Sequence, residues 1–167
     1  MKTEALLLAV VVLGTLSRAD EPPEVDHQPV PCTLPGQPFS LCARATDDNE
    51  VAKVRIFFRR AGEEYYAFSD MEFDGIKYCG VIPAPLEGKV NSVEYYIQAI
   101  DNAYQVKRTS TYQIAVESAS ACEFPPVEKD PTKIQSIKVY ATNRKQKKLD
   151  DAFSSTGVTF VPNAPGH

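Results

Sequence analysis

VAKVRIFFRR, residues 51–60, decides the fold. In an extended chain Val54, Ile56 and Phe58 face one way, and Arg55, Phe57 and Arg59 face the other. A repeat of two marks a strand with one side in a core. VEYYIQAIDNA, residues 93–103, repeats the pattern, with Val93, Tyr95, Ile97 and Ala99 opposed to Glu94, Tyr96 and Gln98.

The rhythm continues on either side of these two segments. Phe39, Leu41, Ala43 and Ala45 alternate with Ser40, Cys42, Arg44 and Thr46. Ile76, Tyr78, Gly80 and Ile82 oppose Lys77, Cys79 and Val81, and Tyr112, Ile114 and Val116 oppose Thr111, Gln113 and Glu117. A weaker strand is expected at residues 28–32, and another of ambiguous phase at 65–73. Turn residues separate them: Pro35-Gly36, the acidic run Asp47 to Glu50, Gly62, Asp74-Gly75 and Asp101-Asn102. About seven short strands with regular turns predict an all-β, two-sheet sandwich. Thirteen prolines and the lack of tryptophan agree with short strands and turns rather than long helices.

The phrases DHQPV, VAKVRIFFRR, KYCGVIPAP and VEYYIQAIDNA together resemble the immunoglobulin-like, fibronectin type III-like sandwich domains of secreted bacterial proteins. The resemblance covers residues 26–116. It implies a fold and no catalytic residues, because this architecture hosts many roles.

All four cysteines, Cys32, Cys42, Cys79 and Cys122, lie beyond the N-terminal apolar run. An even count in an exported chain points to two disulfides, and no close-set pair suggests zinc. If residues 28–32 and 39–46 formed a hairpin, Cys32 would sit about 10 Å from Cys42 along the strand, beyond the ~7 Å a disulfide spans unless the turn is irregular. In the fold implied by the resemblance, the strands bearing Cys42 and Cys79 are neighbours. Both cysteines fall on the outer phase there. Cys32 approaches Cys122 at one end. The favoured pairing is therefore Cys42–Cys79 with Cys32–Cys122, each bridge contributing about 3–4 kcal/mol.

Residues 1–19 read as a secretory signal. Lys2 precedes an apolar run from Ala5 to Leu16, and small residues stand at Ser17 and Ala19 before a cut ahead of Asp20. No later segment is apolar enough to span a membrane after signal cleavage. A secreted or periplasmic location follows. Residues 20–25 are expected to be a mobile acidic leader, 26–122 the sandwich, and 123–167 a tail with one or two extra strands, one of them at 133–142 with Ile134, Ile137, Val139 and Tyr140. The formal net charge of −4 argues against nucleic acid as a partner.

Two candidate sites emerge. On the outward phase Phe57 and Tyr96 accompany Arg55, Arg59 and Gln98, a mixture suited to binding protein or stacking sugar unless the tail covers it. At one end, Asp47, Asp48 and Glu50 approach Asp101 and Asn102, with Asp74 a more distant candidate. These hard oxygen ligands suit calcium, although Asp and Asn are also ordinary turn residues. Tyr95 suits a structural hydrogen bond of the tyrosine-corner kind. The basic run from Asn143 to Lys148 reads as a solvated loop or a contact for anionic polymers. His27 and His167 are the two histidines, and no nucleophile–base arrangement is evident. The expected function is a non-catalytic, exported interaction or structural module binding an envelope or extracellular protein. A carbohydrate-binding module is the alternative, and a hydrolase a weaker one. No cofactor beyond calcium is suggested.

Overall fold

The computed structural model describes residues 20–123 and 136–162, so the signal at 1–19, Ile134 and His167 lie outside the described residues. The strands are β1 (Glu24–Asp26), β2 (Cys32–Thr33), β3 (Phe39–Thr46), β4 (Val51–Arg60), β5 (Ala67–Asp70) and β6 (Glu72–Phe73), followed by β7 (Tyr78–Ile82), β8 (Ser92–Asp101), β9 (Val106–Arg108), β10 (Tyr112–Val116), β11 (Ile137–Ala141) and β12 (Val158–Val161). Among the described residues the chain is all-β. One sheet runs β1-β3-β7-β6, and the other runs β12-β11-β5-β4-β8-β10-β2 with β9 alongside β8. The two sheets form a sandwich.

The inward phase of each long strand builds the core. Phe39 and Leu41 of β3, Val54, Ile56 and Phe58 of β4, Val93, Tyr95 and Ile97 of β8, and Ile114 of β10 are all at most 2% exposed. The tail belongs to this core as well. Val139, Leu149, Ala152 and Phe153 are buried in it, and Phe153 meets Phe58 edge-on at 5.4 Å. The structure joins Cys42 to Cys79 and Cys32 to Cys122. The first bridge links directly opposed residues of β3 and β7.

Four sequence expectations are corrected. The strand expected at 28–32 is absent as a unit. Pro29 and Pro31 lack the N–H that a ladder needs, so β1 pairs with β3 in one sheet and β2 runs parallel to β10 in the other. No hairpin therefore joins β2 to β3. The segment expected to be a mobile leader is tied down, because β1 begins at Glu24 and Gln105 Nε2 donates to Asp20 Oδ2 (2.6 Å). The segment at 65–73 splits at Met71. There β5 ends in one sheet and β6 begins in the other, which explains its ambiguous phase. Ile76, expected inside, is 71% exposed, because it lies in the Asp74 turn before β7 starts.

Candidate functional site

Neighbouring strands place opposed residues on one face. Opposed pairs run from Tyr96 (β8) to Phe57 (β4), from Phe57 to Phe68 (β5), and from Phe68 to Tyr140 (β11). Their rings follow at centroid distances of 4.7, 5.2 and 4.9 Å. Tyr66 meets Tyr96 edge-on at 5.1 Å. Guanidinium groups lie over this row. Arg55 is 4.7 Å from the Phe68 ring, Arg59 is 4.3 Å from Tyr66, and Arg108 is 5.5 Å from Tyr96.

Each arginine is also held from the side. Arg55 Nε donates to Asp70 (3.2 Å), Arg59 to Glu94 (2.7 Å), and Arg108 Nε to Gln98 Oε1 (2.7 Å). Burial pushes the Tyr96 phenol above its ordinary range, while Arg108 pulls the other way. Arg55, Phe57, Arg59, Tyr96 and Gln98 thus share one face. Phe57, however, is 5% exposed and Gln98 6%, so neither offers the contact area expected of it. The ring of Phe57 is enclosed by Tyr96 and Phe68. Nor does the tail lie across this face: β11 extends the sheet at the edge of β5. Sequence reasoning missed Tyr66, Phe68, Arg108 and Tyr140. The first two sit in or beside the strand whose phase was unreadable.

At one end of the sandwich, the loop between β3 and β4 meets the loop between β8 and β9, where Asn102 N donates to Glu50 O (3.3 Å). Asp47 Oδ1 accepts from the amides of Asn49 and Glu50, and Asp101 Oδ1 accepts from that of Gln105 (2.8 Å). Asp20, Asp47 and Asp101 each bring a carboxylate oxygen within 4.8 Å of the others. Asp48 and Glu50 are exposed and stand outside this trio, because the turn that points Asp47 inward turns them to solvent. Asp74 is not a member either. Its carboxylate accepts from the Lys77 and Ile76 amides, and those bonds hold it below the ordinary carboxylate range.

His27 crosses between the sheets. Its Nδ1 lies 2.8 Å from Cys42 O, and its Nε2 lies 2.7 Å from Tyr95 Oη. A carbonyl only accepts, so Nδ1 carries the proton and Nε2 accepts from the phenol. Burial pushes the imidazole below its ordinary value, and the Tyr95 phenol above its own. Tyr95 is thus a structural tie, but to His27 on the N-terminal segment.

A cleft of about 480 Å³ opens beside the tail, lined among others by Leu86, Lys89, Lys148, Phe153, Val158 and Phe160. Lys148 is engaged with Asp151 at 2.7 Å, and that bond holds the Asp151 carboxylate below its ordinary range. In the run from Asn143 to Lys148, the charged side chains are exposed, and Gln146 Oε1 accepts from the Thr142 and Asn143 amides.

No protein-family model matches the chain, and no curated protein sequence matches it. Among solved structures it is similar to an engineered protein, at TM-score 0.43 and 16% identity over 57% of this chain. It spans 20% of that protein's length. It is also similar to a mutant of the SrpA adhesin from Streptococcus sanguinis, at TM-score 0.40 and 19% identity over 72% of this chain and 71% of that one. The class defined by the fold is a disulfide-bonded, two-sheet all-β sandwich. Two disulfides suit an oxidising compartment, and no described helix is long and apolar enough to cross a membrane.

Proposed function

We propose that this protein is an exported, non-catalytic interaction module. It engages another protein of the cell envelope or extracellular space through the outer face of its eight-stranded sheet. One observation carries the reading: three arginines lie over aromatic rings on that face, with Arg108 exposed and Tyr66, Tyr96 and Tyr140 half-buried. Arginine and aromatic residues dominate the binding energy of protein interfaces. Side-held guanidiniums lose less freedom on contact than free ones. The apolar run at 1–19 and the disulfides support export. The motifs quoted above support an immunoglobulin-like sandwich.

Two alternatives fit less well. Stacking a sugar needs a bare ring, whereas Arg55 and Arg108 lie over Phe68 and Tyr96 and Phe57 is buried. A hydrolase that used His27 as its base lacks a free nitrogen, because both ring nitrogens are committed to structural bonds. The test is a triple variant, Arg55→Ala, Arg59→Ala and Arg108→Ala, compared with the parent protein in capture from envelope extract. Of the three only Arg108 is exposed, whereas the Arg55 and Arg59 side chains are 12% and 25% exposed, so a melting curve of the variant is recorded beside the capture to show that it folds. Loss of a stoichiometric captured protein, with Kd weakened at least about 30-fold, is the expected result. Unchanged capture would overturn the assignment, and glycan-array binding that survives the triple variant would replace it.

A further inference from the structure

Apart from that face, the acidic end of the sandwich shows a charge with nothing to answer it. Asp101 is 1% exposed. One of its oxygens is taken by the Gln105 amide, and the other, Oδ2, finds no hydrogen-bond donor among the described residues. The same holds for Asp47 Oδ2. Among the described residues, the ion pairs formed by Asp70, Glu94, Glu63, Asp150 and Asp151 lie elsewhere, and no lysine or arginine pairs with this trio. A buried carboxylate oxygen without a partner is costly, and a second and third carboxylate within 4.8 Å add mutual repulsion. A buried group of this kind calls for a partner beyond the chain, an ion or an ordered water, and the mutual repulsion of three carboxylates favours the ion.

We infer that Asp20, Asp47 and Asp101 bind a calcium ion. Three carboxylates form an all-oxygen, hard donor set, which excludes the soft and borderline metals as preferred occupants. They come from three separate segments: the N-terminal stretch, the β3–β4 loop and the last residue of β8. Calcium accepts such irregular geometry and fills its remaining positions with water, whereas magnesium demands a near-ideal octahedron and gives up its water reluctantly. The ion would clasp the segment entering β1 onto the β3–β4 loop and the end of β8. Extracellular modules hold calcium at about 10⁻⁴–10⁻³ M, and the lack of a fourth carboxylate suits that range. This inference is independent of the binding face.

The test is titration of the purified, EDTA-stripped protein with calcium chloride, by isothermal calorimetry and by thermal melting. One site and a rise in Tm of about 5 °C at ~10 mM calcium are expected. Asp101→Asn and Asp47→Asn abolish both responses, while Asp48→Asn and Glu50→Gln keep them. Asp101→Asn removes one of three mutually repelling charges, so it melts no lower than the parent in EDTA. The inference is overturned if calcium gives neither heat nor a shift, as it would if an amino group freed at Asp20 supplied the counter-charge. It is equally overturned if magnesium reproduces the shift, or if Asp101→Asn retains it.

Discussion

Gly80 offers the sharpest test of how the two sheets pack. It lies in β7 opposite Leu41 of β3, on the inward phase. A Cβ built there would stand 2.8 Å from Met71 Cγ and 3.0 Å from Ile56 Cγ2. Both distances are well inside the ordinary 3.5–4.0 Å separation of carbon atoms. Ile56 belongs to the opposite sheet and is fully buried, and Met71 is fixed at the crossover between β5 and β6, where its amide donates to Val54 O (2.9 Å). Either side chain would have to leave its position in the packed core to make room. Overpacking of this kind costs about 1–3 kcal/mol. Alanine's smaller unfolded-state entropy returns about 0.4–1 kcal/mol of that. Gly80→Ala should therefore lose up to about 2.5 kcal/mol net. Met71→Ala removes the closest atom and by itself costs about 2–5 kcal/mol. The double variant should be more stable than the sum of the two predicts, by about 1 kcal/mol. Urea unfolding of the oxidised protein, followed by tyrosine fluorescence because the chain has no tryptophan, measures all three. A Gly80→Ala midpoint at or above the parent's, or strict additivity, would refute the packing argument.

Phe153→Ala should cost about 3–5 kcal/mol in the same assay, because the ring is 4% exposed and packs edge-on against Phe58; a loss below about 1 kcal/mol would show that the tail is not part of the core. His27 is held below its ordinary value of 6.5 by burial, so the unfolded chain binds its proton more readily than the native one. The resulting stability is present above pH 6.5 and is lost as pH falls toward the lower folded value. Across that interval Tm should fall more steeply with decreasing pH for the parent than for His27→Gln, and equal pH slopes would remove His27 as the cause.

The acidic end shows how much of a site local reading can reach. The turns ending β3 and β8 could be seen to share one pole, and Asp47 and Asp101 were within reach. Asp20 was not, because its approach depends on β1 pairing with β3 and on the bond from Gln105. Asp48 and Glu50 look equivalent to Asp47 along the chain. What separates them is a turn in which Asp47 accepts two amides. On the sheet face, strand phase placed Phe57 outward correctly, yet outward was not exposed: four strands of aromatic side chains close over one another there.

From the residues alone came the all-β class, the long strands with their inward and outward sides, and the outer phase of Cys42 and Cys79. These follow from a two-residue period, which is a property of the extended backbone and is written locally. Tertiary structure decided where the chain changes sheets, at the prolines after β1 and at Met71. It also decided that the tail completes the core and that three distant carboxylates meet. Those outcomes rest on contacts between segments far apart in the chain, and no local pattern of side chains encodes which partner a face will find.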